Sequence, residues 1–267
     1  GMALKSEIKQ KGQSVRWVSS PDRQLSSVAV AQNGLLKNGA EFLLAEDKGR
    51  LFLARTISVQ DFKALSLRDY GRPDRDDLSG MLPPKLAQIM INLSAAGRHE
   101  AILDPFCGSG TILSEALLMG YRKIFGSDLS AKAVADSRRN LDWVKEKFGL
   151  AGNVKSLAKL DALRLARSFS PASFHAIITE PYLGPQRRRP EPEQVIEALS
   201  PLYSQSLEQF ARILKPDGRI VMVWPVFCGR SGQGRRYLDL DLDGWRECRP
   251  WPADLTALLK PFLSPRG

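Results

Sequence analysis

A glycine-containing loop between a short apolar strand and a helix constrains the fold of this chain most strongly. Residues 101–103 have the composition of a buried strand, and Asp104-Pro105-Phe106-Cys107-Gly108-Ser109-Gly110-Thr111 follows them. Glycines lack a Cβ, so the backbone can turn tightly and let a ligand come close. A helix predicted over residues 111–119 begins at this loop and directs unpaired N–H groups into the same space. The pattern therefore predicts a strand–loop–helix unit that can hold a ligand.

An acidic residue at the end of the next predicted strand narrows the ligand class. That strand covers residues 123–126 and leads into Ser127-Asp128. A carboxylate about 20 positions past the glycine loop is where an α/β nucleoside site holds ribose hydroxyls. Leu113 stands where the dinucleotide fingerprint has its third glycine, so that fingerprint fails, and no Gly-Lys-Ser/Thr follows to cradle phosphates. A plain loop of the same fold without a ligand is the alternative.

The run from Asp104 to Thr111 resembles motif I of the amino-group methyltransferases, which bind S-adenosylmethionine. The resemblance implies that Asp104 lies near the methionine ammonium, that Asp128 takes the ribose hydroxyls and that Asp161 lies beside the adenine amine. It also implies an α/β, Rossmann-like class I methyltransferase fold, in which helices cover both faces of a mostly parallel seven-stranded sheet. The implied cofactor-binding residues are Asp104, Phe106, Cys107, Gly108, Ser109, Gly110, Thr111, Asp128, Leu129, Asp161 and Ala162.

A second informative site follows the apolar run of residues 174–178, which has the length of a buried strand. Glu180-Pro181-Tyr182 falls at the carboxyl end of this strand, where ligands sit in open α/β sheets. In the amino-group methyltransferases this place holds Asp, Asn or Ser, then two prolines and an aromatic residue. By that resemblance, a side-chain oxygen and a backbone carbonyl accept hydrogen bonds from the target amine while the aromatic ring stacks on the base.

The chain departs from that four-residue motif, and two alignments are open. Without a gap, Glu180 replaces Asp, Tyr182 replaces the second proline, and Leu183 takes the aromatic position. With one proline missing, Tyr182 is the stacking residue. We prefer this second alignment because an aromatic residue between Pro181 and Gly184 suits a stacking platform better than leucine does. The predicted catalytic residues are therefore Glu180, Pro181 and Tyr182, and a proline-rich loop with Tyr182 half buried is the alternative.

Segments before the glycine loop resemble the THUMP-associated RNA methyltransferases, which include tRNA guanine-N2 enzymes. These segments are Phe52-Leu53-Ala54-Arg55-Thr56, Arg68-Asp69-Tyr70-Gly71-Arg72-Pro73 and Gly80-Met81-Leu82-Pro83-Pro84-Lys85-Leu86-Ala87. In that family the Arg-Asp-x-x-Arg-Pro segment links an RNA-binding domain to the catalytic domain. The implied organisation is a small β-rich N-terminal segment (residues 1–68) that ends a THUMP-like module, a linker (residues 69–79) and a methyltransferase domain (residues 80–267).

Basic clusters point to a polynucleotide partner. The formal net charge is +10, although an excess of lysine and arginine alone is usually a solvated surface. Arg187-Arg188-Arg189 follow the predicted catalytic residues, and Arg230, Arg235 and Arg236 lie in a glycine-rich loop after the predicted fifth strand, residues 219–224. Both loops emerge at the carboxyl edge of the sheet, where arginines can contact phosphates. We expect RNA contacts from Arg187, Arg188, Arg189, Arg235 and Arg236, against the alternative of a solvated loop.

Composition indicates the cellular context. At 267 residues, with 43% hydrophobic residues and no apolar stretch near about 18 residues, the chain is expected to be globular and outside membranes. No signal peptide is expected, and Gly1-Met2 resembles a tag remnant before a start codon. Cys107, Cys228 and Cys248 fit neither a disulfide framework nor a zinc pattern, which favours a reducing cytoplasm. With two histidines, a histidine metal site is not expected.

The remaining pattern alternates strands and helices as a parallel sheet requires. Ser130 is predicted to cap a helix over residues 131–148, which Gly149 ends. A further helix is predicted over residues 193–214, ended by Lys215-Pro216-Asp217-Gly218. The other predicted elements are N-terminal strands at residues 15–18, 27–31, 42–45 and 51–54, a hairpin of residues 237–242 and 245–249, and a final helix over residues 253–263.

Together these features predict an S-adenosylmethionine-dependent RNA methyltransferase that modifies an exocyclic base amine, with guanine N2 in tRNA as the favoured target. The transfer requires neither a metal nor a covalent enzyme intermediate. One alternative is a DNA adenine or cytosine amino-methyltransferase, because the same motifs serve that chemistry. The other is a catalytically inactive RNA-binding protein that keeps the fold, which the altered catalytic motif suggests.

Overall fold

The chain divides into two compact units, Gly1–Leu67 and Arg68–Gly267. The computed structural model describes residues 2–22, 24–75, 80–185, 191–228 and 234–248. In the first unit, helices α1 and α2 precede two strands, β1 and β2, and helix α3 begins there and ends in the second unit. The bounds are α1 Met2–Gln10, α2 Ser27–Gln32, β1 Phe42–Asp47, β2 Arg50–Arg55 and α3 Phe62–Tyr70.

The two strands of the first unit form an antiparallel hairpin, with Phe42 opposite Arg55 and Asp47 opposite Arg50. Lys48 and Gly49 connect them with φ angles of 48° and 77°. Positive φ at both positions matches the tight turn whose twist suits a two-residue hairpin. The predicted strands at residues 42–45 and 51–54 are therefore confirmed.

The other two predicted N-terminal strands are wrong. Residues 27–31 lie in helix α2, because the Ser26 hydroxyl accepts a hydrogen bond from the Ala29 N–H and caps the first turn. The local cap and the two alanines of this segment outweigh the strand preference of its valines. Residues 15–18 have no regular secondary structure.

A parallel sheet organises the second unit. Its strand order is β5-β4-β3-β6-β7, and every neighbouring pair is parallel. From β3, the chain first adds strands on one side (β4, then β5) and then on the other (β6, then β7). This change of side creates the switch point where open α/β sheets bind ligands, at the carboxyl ends of β3, β4 and β6. The bounds are β3 Ala101–Asp104, β4 Lys123–Asp128, β5 Ser156–Lys159, β6 Phe174–Thr179 and β7 Leu214–Met222.

The described part of this sheet has five strands rather than the predicted seven. Up to residue 248, the predicted hairpin of residues 237–249 does not form. Leu238 instead packs in a buried cluster with Leu199 and Tyr203, and the Asp239 N–H donates to the Ser200 hydroxyl at 3.2 Å. Burial against a helix thus replaces strand pairing. Two short strands, β8 (Phe227–Cys228) and β9 (Arg235–Arg236), pair antiparallel nearby in sequence.

Helices cover both faces of the sheet, as predicted. Alternate residues of a strand point to opposite faces, so Ile102 and Leu103 of β3 belong to different hydrophobic clusters. Ile102 packs with residues of helices α4, α5 and α6, and Leu103 packs with residues of α7 and a 3₁₀ helix. The bounds are α4 Pro84–Leu93, α5 Thr111–Leu118, α6 Ala131–Phe148, the 3₁₀ helix Ala162–Arg167 and α7 Pro192–Ile213.

The ends of two long helices test the sequence signals. Helix α6 starts and stops as predicted, because the Ser130 hydroxyl accepts the Ala133 N–H and Gly149 takes φ 63°. Helix α7 also matches its prediction closely, and Lys215–Gly218 follows its end. The next strand, predicted over residues 219–224, instead begins at Leu214 and includes this stretch. The predicted helix over residues 253–263 lies outside the described residues. In the described parts of the chain, no helix has both the length and the apolar character needed to cross a membrane.

Candidate functional site

A cavity of about 710 Å³ opens at the carboxyl edge of the sheet. The ends of β3, β4 and β6 form its floor, and the start of α6 and the stretch before α4 contribute to its walls. Most of the residues predicted from the two motifs line it: Asp104, Phe106, Cys107, Gly108, Ser109, Thr111, Asp128, Leu129, Glu180, Pro181 and Tyr182. The fold thus brings the predicted cofactor and catalytic residues to one cavity.

The glycine loop closes tightly against helix α6. Gly110 has φ 84°, and its N–H donates to the Cys107 carbonyl at 2.8 Å. A Cβ at Gly110 would collide with the Oγ of Ser137, so this position requires glycine for both space and conformation. Gly108 has φ 51° with open space where a Cβ would stand. Burial raises the pKa of the Cys107 thiol, which therefore stays neutral.

Asp128 joins the loop to the end of β4. Its carboxylate oxygens accept the N–H of Gly108 at 3.0 Å and the N–H of Ser130 at 2.8 Å. A carboxylate has about four acceptor positions, so further positions are available to a hydroxyl. The two backbone bonds fix the orientation of the carboxylate toward the cavity that it lines.

Asp104 is the most strongly perturbed acid at the site. Its residue is 3% exposed, and Oδ1 accepts the Thr179 hydroxyl at 2.7 Å and the Phe106 N–H at 3.2 Å. Burial raises the pKa of Asp104 to about 7, and the charges of Asp128 and Glu180 contribute in the same direction. The carboxyl is therefore costly to ionise, and a cation beside it would stabilise its charged form.

The predicted catalytic residues directly follow β6 and line the cavity. Burial raises the pKa of Glu180 above its ordinary value. Tyr182 is 53% exposed, so part of its side chain is accessible from the cavity. Its stacking on a base remains a prediction. The Tyr182 carbonyl accepts the hydroxyl of the buried Tyr203 at 3.2 Å, which holds the backbone in place. Gly184, with φ 101°, ends the turn.

Three predicted cofactor residues do not line the cavity as described: Gly110, Asp161 and Ala162. Asp161 caps the 3₁₀ helix, because its side chain accepts the Leu163 N–H at 2.9 Å, and Arg164 Nε lies 3.6 Å from its other oxygen. Ala162 is buried. A contact of Asp161 with adenine therefore remains a prediction.

Gly80, Met81, Leu82 and Leu183, which belong to segments of the predicted motifs, also line the cavity. Other lining residues carry no role in the sequence analysis: Lys132, Ala133, Asp136 and Leu202. Lys132 and Asp136 form an ion pair of 2.5 Å one turn apart on α6, and Asp136 also accepts from Arg139 at 2.6 Å. The sequence does indicate Lys132 and Asp136, because the helix that follows Asp128 must start beside the position predicted to bind ribose. The apolar residues carry no comparable signal.

The basic residues predicted to bind RNA are only partly described. Arg187, Arg188, Arg189 and Arg230 lie outside the described residues. Arg235 and Arg236 are exposed on β9, and Arg236 pairs with Glu193 of α7. Neither lines the cavity. Their contact with RNA remains a prediction.

Comparisons with known proteins agree with this geometry. The chain is 32% identical over 171 residues to a tRNA (guanine(10)-N2)-dimethyltransferase of Pyrococcus abyssi, covering 63% of this chain and 46% of the relative. It is 27% identical over 203 residues to the protein of the same name in Methanocaldococcus jannaschii, covering 73% and 51%. The chain therefore spans about half the length of the curated relatives that it matches.

The crystal structure of TrmN from Thermus thermophilus is similar to this one with a TM-score of 0.45 and 23% identity, covering 79% of this chain and 58% of that chain. A family model described as "RMKL-like, methyltransferase domain" matches residues 72–226. This range holds the glycine loop, Asp128 and the Glu180 motif, and it is more than half of the sequence. The chain belongs to the RMKL-like methyltransferase domain family.

Proposed function

We propose that this chain is an S-adenosylmethionine-dependent RNA methyltransferase that methylates an exocyclic base amine, guanine N2 in tRNA. One observation carries the proposal: Asp104 and Asp128 on the donor side and Glu180 and Tyr182 on the acceptor side line the same cavity. The names of the two curated relatives support the tRNA guanine as target. They also favour RNA over the alternative of a DNA amino-methyltransferase.

The cavity residues fit S-adenosylmethionine. Its volume lies within the usual range of small-molecule sites, about 300–1,000 Å³. Asp104 would bind the ammonium, since a buried carboxyl with a raised pKa gains most from a cationic partner. Asp128 would hold the ribose hydroxyls, and the Gly108 region would line the ligand. When bound, the donor supplies an electrophilic methyl group on a sulfonium.

The acceptor side orients the amine. The lone pair of an aromatic amine is delocalised into the ring, which makes the nitrogen a poor nucleophile. Glu180 and the Pro181 carbonyl would accept hydrogen bonds from the two N–H groups and align the nitrogen with the methyl group. Tyr182, being exposed at the cavity, would stack on the flipped base. Methylation makes the nitrogen acidic, and Glu180, whose pKa burial raises, can take the proton.

The rest of the chain would serve RNA binding in the cytoplasm. The net charge of +10 favours a polynucleotide partner, and Arg187, Arg188, Arg189, Arg235 and Arg236 would contact its phosphates. Residues 1–68 would end a THUMP-like RNA-binding module, residues 69–79 would link it, and residues 80–267 would form the methyltransferase domain.

Replacing Glu180 by alanine tests the proposal. We expect methyl transfer to tRNA to fall by about 100-fold or more, because the amine loses one of two orienting acceptors. Donor affinity should remain within about twofold, since this side chain is proposed to bind the acceptor rather than the donor. Transfer of a radiolabelled methyl group, nucleoside mass spectrometry and calorimetry measure these quantities.

The matched control is Glu197→Ala, an exposed glutamate of helix α7 outside the cavity, which should leave transfer unchanged. Full activity of Glu180→Ala would contradict the catalytic assignment. Transfer to duplex DNA but not to tRNA would favour the DNA enzyme. Absence of donor binding at millimolar concentration would favour the inactive RNA-binding protein.

A further inference from the structure

A charged stretch at the start of the second unit packs against the glycine loop from outside the cavity. We call residues 68–74 the arginine strap. Arg68 makes two hydrogen bonds to Glu115 of α5, at 2.6 and 3.2 Å, and the Arg72 Nη1 donates to the Thr111 hydroxyl at 2.6 Å. The strap therefore contacts the helix that begins at the glycine loop in two successive turns.

The far end of the strap reaches the loop itself. The Asp74 N–H donates to Asn140 Oδ1 at 3.0 Å, and Asn140 Nδ2 donates to the carbonyls of Asp74 and Ser109, both at 2.9 Å. Asn140 is buried in helix α6. The side-chain amide of Asn140 thus connects the strap by hydrogen bonds to the backbone of Ser109, a residue that lines the cavity.

The two strap arginines differ in how their charges are compensated. Arg68 faces the buried Glu115 carboxylate, which Gln88 also contacts at 2.6 Å, so this ion pair is complete. Arg72 is only 7% exposed, yet its Nε and Nη2 have no hydrogen-bond partner within the described residues. The Asp69 carboxylate lies 3.9 Å from Nη2, beyond hydrogen-bond distance. Arg72 is therefore a buried cation with incomplete compensation.

An incompletely paired buried arginine is costly, because guanidinium cannot lose its proton in proteins. Burial lowers the pKa of Arg72, in agreement with this cost. The position adds to it, since the positive end of the helix dipole at the start of α5 also disfavours a cation. An anion bound at the first turn of α5 would reduce both the cost of burying the guanidinium and its repulsion by the helix dipole.

Thr111 connects Arg72 to the cavity. It is the first residue of α5 and lines the cavity, whereas Arg72 does not. Because its oxygen accepts the hydrogen bond from Arg72, its single hydroxyl hydrogen is directed to another acceptor. The first helical bond of α5 runs from the Ser114 N–H to the Gly110 carbonyl, so the preceding N–H groups are available to an anion.

The lining of the cavity consequently holds two groups of opposite preference. Asp104 favours a cation, and Thr111 with the start of α5 favours an anion. A zwitterionic amino-acid group matches this pair, and the methionine part of the proposed donor carries both an ammonium and a carboxylate. We propose that Arg72 is a positioning residue that holds the Thr111 hydroxyl as a hydrogen-bond donor to the carboxylate of S-adenosylmethionine. This inference rests on the proposed function.

Calorimetry with two ligands separates this role from a merely structural one. Decarboxylated S-adenosylmethionine keeps the ammonium, the sulfonium and the adenosine and lacks only the carboxylate. We expect Arg72→Met to raise the Kd of S-adenosylmethionine by about tenfold or more and to change that of the decarboxylated ligand by less than about twofold. Arg72→Lys, which keeps a charge without the planar fork, should show a smaller loss of the same selectivity.

A double variant tests whether Arg72 acts through Thr111. Thr111→Val should reproduce the carboxylate-selective loss, Thr111→Ser should retain wild-type affinity, and adding Arg72→Met to Thr111→Val should have little further effect. Arg122→Met is the control for loss of an arginine, since Arg122 is exposed beyond the other end of α5. It should leave both affinities unchanged.

The possible outcomes discriminate clearly. An equal loss of both ligands in Arg72→Met, or no loss of either, overturns the inference while the proposed donor stands. If Arg72→Met does not fold, the lysine variant and the threonine pair give the same comparison, and an unselective loss in them overturns the inference as well. If the wild-type protein binds neither ligand, the proposed function fails and the inference fails with it.

Discussion

Replacing Asp104 by asparagine tests whether this buried carboxyl lowers the free energy of unfolding of the protein. Both of its hydrogen bonds, from the Thr179 hydroxyl and from the Phe106 N–H, end on Oδ1. An asparagine oxygen can accept the same two bonds, so the substitution removes the charge and keeps the contacts. The variant therefore isolates the free energy of ionising this buried group.

The sign and the size follow from the two states of the chain. Burial raises the pKa of Asp104 from 3.8 to about 7. The unfolded chain thus loses the proton near pH 4, whereas the folded protein keeps it until about pH 7. Between these values the free energy of unfolding falls by about 1.4 kcal/mol per pH unit, or about 4 kcal/mol in all. Above pH 7 both states are ionised and the loss is complete.

Urea unfolding of the wild type and of Asp104→Asn at pH 5 and pH 8 measures the free energy that ionising Asp104 costs. We expect the free energy of unfolding of the variant, relative to the wild type, to rise by about 3 kcal/mol between the two pH values. Titrating groups that do not interact with Asp104 are common to both proteins and cancel in the difference, whereas Asp128 and Glu180, whose charges raise the pKa of Asp104, also contribute to it. A difference that does not depend on pH would refute the raised pKa.

The same carboxyl links donor binding to pH. If the donor ammonium pairs with ionised Asp104, wild-type affinity for S-adenosylmethionine should fall about eightfold from pH 7.5 to pH 6, where about one carboxyl in eleven is ionised. Asp104→Asn should bind about tenfold or more weakly at pH 7.5. Its affinity should also vary less over this range. A gain in stability together with a loss of binding would identify Asp104 as a group that the fold holds for its ligand.

Two further predictions concern the loop and the stacking residue. Gly110→Ala should destabilise the protein by about 3 kcal/mol, because the added Cβ would collide with Ser137 and because the φ of Gly110 is 84°. Gly108→Ala should cost only about 1 kcal/mol, since a Cβ there has open space. Equal losses in urea unfolding would contradict the proposed crowding. Tyr182→Ala should raise the KM for tRNA about tenfold through lost base stacking, with stability unchanged since the ring is exposed. Ile89→Ala, which removes an exposed apolar side chain outside the cavity, is its control, and an unchanged KM for Tyr182→Ala would exclude stacking.

The meeting of the glycine loop and Asp128 at one sheet edge was predictable because its signals are local. Gly108, Gly110 and Asp128 occupy fixed offsets in a strand–loop–helix–strand unit, and those offsets determine which side chains meet at one sheet edge. The cap at Ser130 and the stop at Gly149 are equally local, and helix α6 has the predicted bounds. Where a few neighbouring residues determine the backbone, sequence patterns are sufficient.

The errors arise where contacts distant in sequence compete with local preference. Leu238 packs in a cluster with residues of helix α7, so the segment predicted to form a hairpin packs against this helix instead. Strand β7 extends back to Leu214 because Phe174 pairs with that residue, and the register then shifts before Ala176. Pro216 and Gly218 predict a loop, and sheet pairing overrides that preference.

Arg72 is the clearest case of a residue whose role comes from the fold. Its sequence neighbourhood is a charged stretch typical of a linker, and Thr111, its hydrogen-bond partner, lies 39 positions away. Among the residues that the structure describes, the Nε and Nη2 atoms of this buried arginine have no hydrogen-bond partner, and such a group destabilises the protein unless something compensates its charge. Asp104 carries the opposite charge when ionised, and its burial makes that ionisation costly. Each of these costs is relieved by one end of the same amino-acid group, so the two unfavourable burials together are evidence for the ligand that neither provides alone.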